Sequence, residues 1–157
     1  MITYGFTSTA GKATFTPVNL VLNPSATTTS TTNWTSASRT TSIFKTTPAS
    51  WMPSFYEPTD TMVVEYYDTN MLTSGTRYSL SFWARNATSA SGFPLTMRFY
   101  AGGNSQQITI TPSVSTFEYF KIENLLCGVA TNGGFFIDSA GDFYIDDVAI
   151  VAGATAI

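Results

Sequence analysis

Histidine is absent from this chain. Its absence removes Ser-His-Asp and Cys-His catalysis and the commonest transition-metal ligand. Cysteine occurs once, at Cys127, so no intrachain disulfide can form and a cysteine-rich zinc site is excluded. Charge is scarce: 11% of the 157 residues are charged, with 7 cations against 10 anions and a net charge of −3. Nucleic-acid recognition needs clustered cations for phosphate, and no basic run exists here. An anionic membrane is a poor partner for the same reason. No apolar run approaches the length that spans a bilayer. Met1 to Lys12 lacks the basic segment and apolar core of a secretion signal, so the sequence predicts a protein made in a cytoplasm and not exported by its own leader.

What is there is aromatic, small and β-branched. Aromatics make up 15% of the chain, and 11 glycines and 7 prolines punctuate it. The stretch Phe143 to Ile150 organises the rest. It is a strand of bulky residues interrupted by Asp146 and Asp147. Strict alternation puts Phe143, Ile145 and Asp147 on one side and Tyr144, Asp146, Val148 and Ile150 on the other. Two carboxylates in an apolar strand require a turn, hydrogen-bond donors or a cation. Its mate runs from Tyr78 to Arg85, where Tyr78, Leu80, Phe82 and Ala84 alternate with Ser79, Ser81, Trp83 and Arg85. Further alternating stretches occupy Met62 to Tyr67, Leu95 to Tyr100 and Phe117 to Ile122. Gly102-Gly103-Asn104, Asn132-Gly133-Gly134 and Ala140-Gly141 supply turns. Pro48, Pro53 and Pro58 exclude a helix and predict a long loop that displays Trp51 and Tyr56. Short strands at this spacing predict an all-β antiparallel sandwich with Tyr78, Leu80, Phe82, Leu95, Met97, Phe99, Phe143 and Ile145 in its core. Residues 1–17 read as an additional N-terminal hairpin or an attachment arm, with Tyr4, Phe6 and Phe15 as its contacts. Residues 152–157 read as a short uncharged tail.

The order of pieces resembles a known family. Asn19-Leu20-Val21-Leu22-Asn23-Pro24-Ser25, a tryptophan soon after, the strand from Tyr78 to Arg85, an aromatic strand near Phe117 to Phe120 and the closing Phe143 to Val151 are similar to jelly-roll carbohydrate-binding modules. The likeness is to the xylan- and glucan-binding type and covers residues 18–151. Comparable modules occur in bacteriophage tail and capsid-decoration proteins. The resemblance implies a jelly roll and a structural calcium held with Asp146 or Asp147. Thr27 stands where many members carry a glutamate ligand, so the calcium set is incomplete. The other reading of these aspartates is that one of them caps a turn or accepts backbone N–H bonds. No other cofactor is implied.

Glycoside hydrolysis needs two carboxylates across a cleft, and Asp146-Asp147 face opposite sides of a strand. The sequence therefore predicts a binding protein and no catalytic residues. Flat aromatic faces with polar neighbours suit a sugar ring or a protein surface, and Trp34, Trp51, Tyr56, Tyr67, Arg98 and Tyr100 are the candidates. Trp83 and Arg85 would join Arg98 and Tyr100 in one platform if their faces coincide; otherwise Trp83 packs in a core layer. Two functions follow as expectations. One is a virion accessory protein, on a capsid or a tail, that contacts particle proteins or a cell-surface glycan and acts as a homo-oligomer or symmetric array. The other is the polysaccharide-binding module of a secreted glycoside hydrolase.

Overall fold

The computed structural model describes residues 18–22, 26, 32–46, 49–53, 55–57, 61–87 and 93–153, with the backbone alone at 55–57 and 61. Tyr4, Phe6, Phe15 and Thr27 lie outside the described residues, as does the tail beyond Gly153. No described residue is helical. Among the described residues eleven strands follow in order: β1 (Trp34–Thr35), β2 (Ala37–Thr40), β3 (Ser50–Pro53), β4 (Phe55–Glu57), β5 (Thr61–Asp68), β6 (Arg77–Asn86), β7 (Leu95–Ala101), β8 (Asn104–Ile110), β9 (Glu118–Leu126), β10 (Gly133–Ser139) and β11 (Phe143–Ala152). They form two antiparallel sheets. Sheet A runs β1-β5-β10-β7-β8, with β4 also on β5; sheet B runs β2-β3-β11-β6-β9. The fold is the antiparallel sandwich that the alternation and turn spacing predict, and the jelly roll that the resemblance implies.

The core lies between the sheets. Leu80, Phe82, Leu95, Met97, Phe99, Phe143 and Ile145 are fully buried, and Tyr78 is nearly so. They are the inward members of their strands, and β-branched and aromatic side chains fill a pleated, half-buried surface well. Gly102 and Gly103, both at positive φ (58° and 97°), make the tight β7–β8 turn where a Cβ would be strained.

Three expectations are corrected. First, the proline-broken stretch is not a loop, because β3 and β4 occupy it. Pro53 sits at the last position of β3, where a missing N–H costs the ladder little. Second, strict alternation fails in β11. The pairing with β6 slips between Asp146 and Ala149, and Asp147 adopts φ 48°. This bulge advances the strand by one residue, so Val148 and Ile150 join Phe143 and Ile145 in the core. Third, Gly133 and Gly134 belong to β10 rather than to a turn before it.

Candidate functional site

The outward face of sheet A carries the polar and aromatic side chains left over from core packing. Two registers align them. Tyr67 on β5 pairs with Gly134 on β10, which pairs with Tyr100 on β7. One step along, Glu65 pairs with Phe136, Phe136 with Arg98, and Arg98 with Gln107 on β8. Two tyrosines thus flank a residue without a side chain. A Cβ at Gly134 would lie 2.0 Å from the Tyr66 carbonyl oxygen, so the close approach of β10 to β5 requires glycine here. The result is a cavity of about 190 Å³ lined by Glu65, Tyr66, Tyr67, Tyr100, Gly103 and Asn132.

Hydrogen bonds set the walls. Asn132 Nδ2 donates to the Tyr67 hydroxyl at 2.9 Å. Arg98 donates to Gln107 Oε1 from Nη2 at 2.8 Å and from Nε at 3.2 Å, and Nη1 reaches the Tyr100 hydroxyl at 3.3 Å. Arg98 is therefore oriented across strands, and its side chain holds the Tyr100 ring. Tyr67 remains 41% exposed, enough to offer ring surface to a ligand. Farther along the outward row of β10, Asp138 has Oδ1 buried with no hydrogen-bond partner among the described residues. A buried acceptor left unpaired is costly.

Tyr67, Arg98 and Tyr100 are thus brought together. The other aromatic candidates are not. Trp51 is fully buried and Trp34 is 5% exposed; their rings stack at 4.5 Å with 24° between planes. Trp34 also meets Tyr66 and Phe135 edge-on, and its indole N–H donates to the Leu22 carbonyl at 2.8 Å. Both tryptophans are core residues and offer no face to a ligand. The reason is tertiary: β3 joins sheet B beside β11, and Trp51, opposite Ile145, points between the sheets. The side chain of Tyr56 lies outside the described residues. Trp83 and Arg85 do not share a platform with Arg98 and Tyr100, because β6 is in sheet B and β7 in sheet A. Nor is Trp83 a core residue. It lies partly exposed beside Tyr119, with Lys45 Nζ 4.4 Å above its ring. Glu65, Asn132 and Gly134 were missed as site residues. The two adjacent glycines before Phe135 were the available signal.

Asp146 has a different duty from the one the calcium reading assigns. It is fully buried. Its Oδ2 accepts the backbone N–H groups of Lys45 (2.9 Å) and Thr46 (2.8 Å), and its Oδ1 accepts that of Asp147 (2.8 Å). The Thr46 hydroxyl donates to Asp147. Donors aimed at both oxygens present positive dipole ends where a cation would have to sit. Among the described residues no group of three or more His, Cys, Asp or Glu could hold a metal ion. The described residues around Asp146 therefore do not form a calcium site, and the pair fastens residues 45–46 to β11.

Burial pushes the Asp146 carboxyl up from 3.8 to about 6; the N–H donors of Thr46, Asp147 and Lys45 oppose the shift, and the charge of Asp147 adds to it. Between those two values the native chain holds a proton that the unfolded chain has released. Raising pH then favours unfolding. Stability from this group is present below about pH 4, falls by about 3 kcal/mol as pH rises to about 6, and is level above that. Urea denaturation at a series of pH values should show this decline in the wild type and not in Asp146→Asn. Equal slopes in the two proteins would remove Asp146 as its source.

Comparison with known proteins bears on the fold. No family model matches the chain, and no curated protein does. Solved structures do. A family 61 carbohydrate-binding module in complex with β-1,4-galactotriose superposes with a TM-score of 0.64 at 14% identity, over 87% of this chain and 99% of that one. The chain shares the jelly-roll fold of that module. A xylan-binding family 22 module from Paenibacillus barcinonensis gives a TM-score of 0.69 at 10% identity, covering 89% of this jelly roll and 97% of that chain. The enzymatically active domain of tailspike protein 4 from bacteriophage CBA120 gives 0.63 at 18% identity, over 86% of this chain but only 21% of the tailspike.

Proposed function

We propose that this jelly roll is a non-catalytic glycan-recognition module that serves a phage particle, in tail adhesion or capsid decoration at the virion surface. The cavity between Tyr67 and Tyr100 carries the reading. Its size suits part of a sugar unit rather than a large ligand. The two tyrosines offer ring faces for the C–H surface of a pyranose, while Glu65 and Asn132 offer acceptors and donors for hydroxyls. Likeness in fold to a tailspike domain supports the virion setting. Likeness to xylan- and galactotriose-binding modules supports the second reading, a polysaccharide-binding module of a secreted hydrolase.

A glycan array followed by calorimetry tests binding. Tyr67→Ala and Tyr100→Ala should each weaken the best ligand by roughly tenfold or more, corresponding to about 1.4 kcal/mol. Because these side chains lie on the outward face, the variants should melt within about 1 kcal/mol of the wild type. Unchanged affinity in both would move the site off sheet A. Electron microscopy of labelled protein mixed with phage particles separates the two settings: decoration favours the virion, and its absence together with plant-polysaccharide binding favours the hydrolase module.

A further inference from the structure

The negative charge of the chain is concentrated on one sheet. The strands of sheet A carry four anions, Glu57, Glu65, Asp68 and Asp138, against one cation, Arg98. Those of sheet B are balanced: Arg39, Arg77, Arg85 and Lys121 match Glu118, Glu123, Asp146 and Asp147 in number. The cavity between Tyr67 and Tyr100 lies on the acidic sheet, and Glu65 is part of its wall. Among the described residues the Glu65 carboxylate has no ion-pair or hydrogen-bond partner. Its cross-strand neighbours, Thr35 on β1 and Phe136 on β10, are neutral. Phe136 separates it from Arg98 in the register. Arg98 does not line the cavity, and its guanidinium is engaged by Gln107 and the Tyr100 hydroxyl.

We propose that the sugar recognised in this cavity carries a free amine and that Glu65 pairs with its ammonium, so the ligand class is a hexosamine that is not N-acetylated. The proposal rests on the glycan reading of the cavity. Asn132 and Tyr67 can each donate and accept, which suits hydroxyls. Glu65 is acceptor-only and charged. A neutral sugar laid against it would strip water from a carboxylate without replacing the lost charge stabilisation, which is costly. An ammonium brings three donors and the opposite charge to the same place. Position agrees with this. Tyr67 is 41% exposed and can take a pyranose on its ring. Glu65 stands two residues away on the same face of β5, roughly 7 Å along the strand, where an amine projecting from the edge of that pyranose arrives. A cation beside the Tyr67 ring also gains from its negative face. Arg98 repels a cation at the Tyr100 end, so the amine takes the Glu65–Tyr67 end.

Calorimetry with a trimer of β-1,4-linked glucosamine, its N-acetylated counterpart and a uronic-acid trimer is the test. The wild type should bind the amine trimer roughly tenfold or more tighter than the acetylated one. It should not bind the uronic-acid trimer, whose carboxylates meet Glu65. Added salt should weaken the amine complex. Glu65→Gln keeps the side-chain shape, removes the charge and should bring the amine and acetylated affinities together. Glu123→Gln removes the same charge from sheet B and should keep the preference. Equal binding of the amine and acetylated trimers by the wild type overturns the proposal while the glycan reading stands. A preference that survives Glu65→Gln overturns it too. One that Glu123→Gln abolishes is general attraction between a polycation and an acidic protein and also overturns it. A lysine-bearing peptide that binds through Glu65 where the amine trimer does not would assign the ammonium to a protein partner and overturn the sugar. If neither these trimers nor any glycan on an array binds, the glycan reading itself fails and the proposal falls with it.

Discussion

Replacing Trp51 with alanine should destabilise the protein by about 3–5 kcal/mol, the range for deleting a buried tryptophan. The ring is fully buried and stacks on Trp34 at 4.5 Å, so its removal empties space that Trp34, Ile145 and their neighbours cannot easily close. For a domain of this size the melting temperature should fall by roughly 6–20 °C. Glycan affinity, measured on the fraction that remains folded at low temperature, should hardly change. The contrary result is sharply different. A Trp51 that served as an exposed binding platform would give a melting change worth under about 1 kcal/mol and lose the ligand. Thermal denaturation and calorimetry on the same preparation therefore decide between a core role and a contact role.

Replacing Asp146 with alanine is expected to cost about 2–4 kcal/mol. The carboxylate satisfies three backbone N–H groups, those of Lys45, Thr46 and Asp147, and each buried donor left unpaired costs about 1–3 kcal/mol. Loss of a desolvated charge offsets part of this, and residues 45–46 can lift away to find water. The displacement should be visible in hydrogen exchange: the amides of Lys45 and Thr46 should exchange freely in the variant and slowly in the wild type. The cation–π contact of Lys45 with Trp83 should weaken together with them, which tryptophan fluorescence can follow. A chelator should leave the wild-type melting temperature unchanged, because N–H donors and not a metal compensate the charge. A fall in melting temperature with chelator would reinstate a metal at Asp146 and overturn this account.

Much of the fold was legible in the residues. Strict alternation in Tyr78 to Ala84 and in Leu95 to Phe99 left only one way to hide the apolar side of each strand, so the core there follows from period alone. The glycine pair at Gly102-Gly103 likewise dictated its turn. Tyr67, Arg98 and Tyr100 stood out as outward members of apolar strands. The two tyrosines line one cavity, and Arg98 reaches the Tyr100 hydroxyl.

Other features were decided by tertiary structure. A local pattern carries no information about which strands become neighbours. Trp34 and Trp51 sit among polar residues and prolines that read as surface, yet pairing of β1 with β5 and of β3 with β11 turns both rings inward. Gly134 looks like part of a turn until β10 lies between β5 and β7, where its missing side chain opens the space between Tyr67 and Tyr100. The bulge at Asp146 and Asp147 breaks the period on which the sequence reading depends. The donors that make it tolerable come from Lys45 and Thr46, about a hundred residues earlier in the chain. Alternation is a property of each strand alone and is written in its residues; burial of a tryptophan, the floor of a cavity and the partner of a buried charge depend on long-range pairing, which only the folded chain sets.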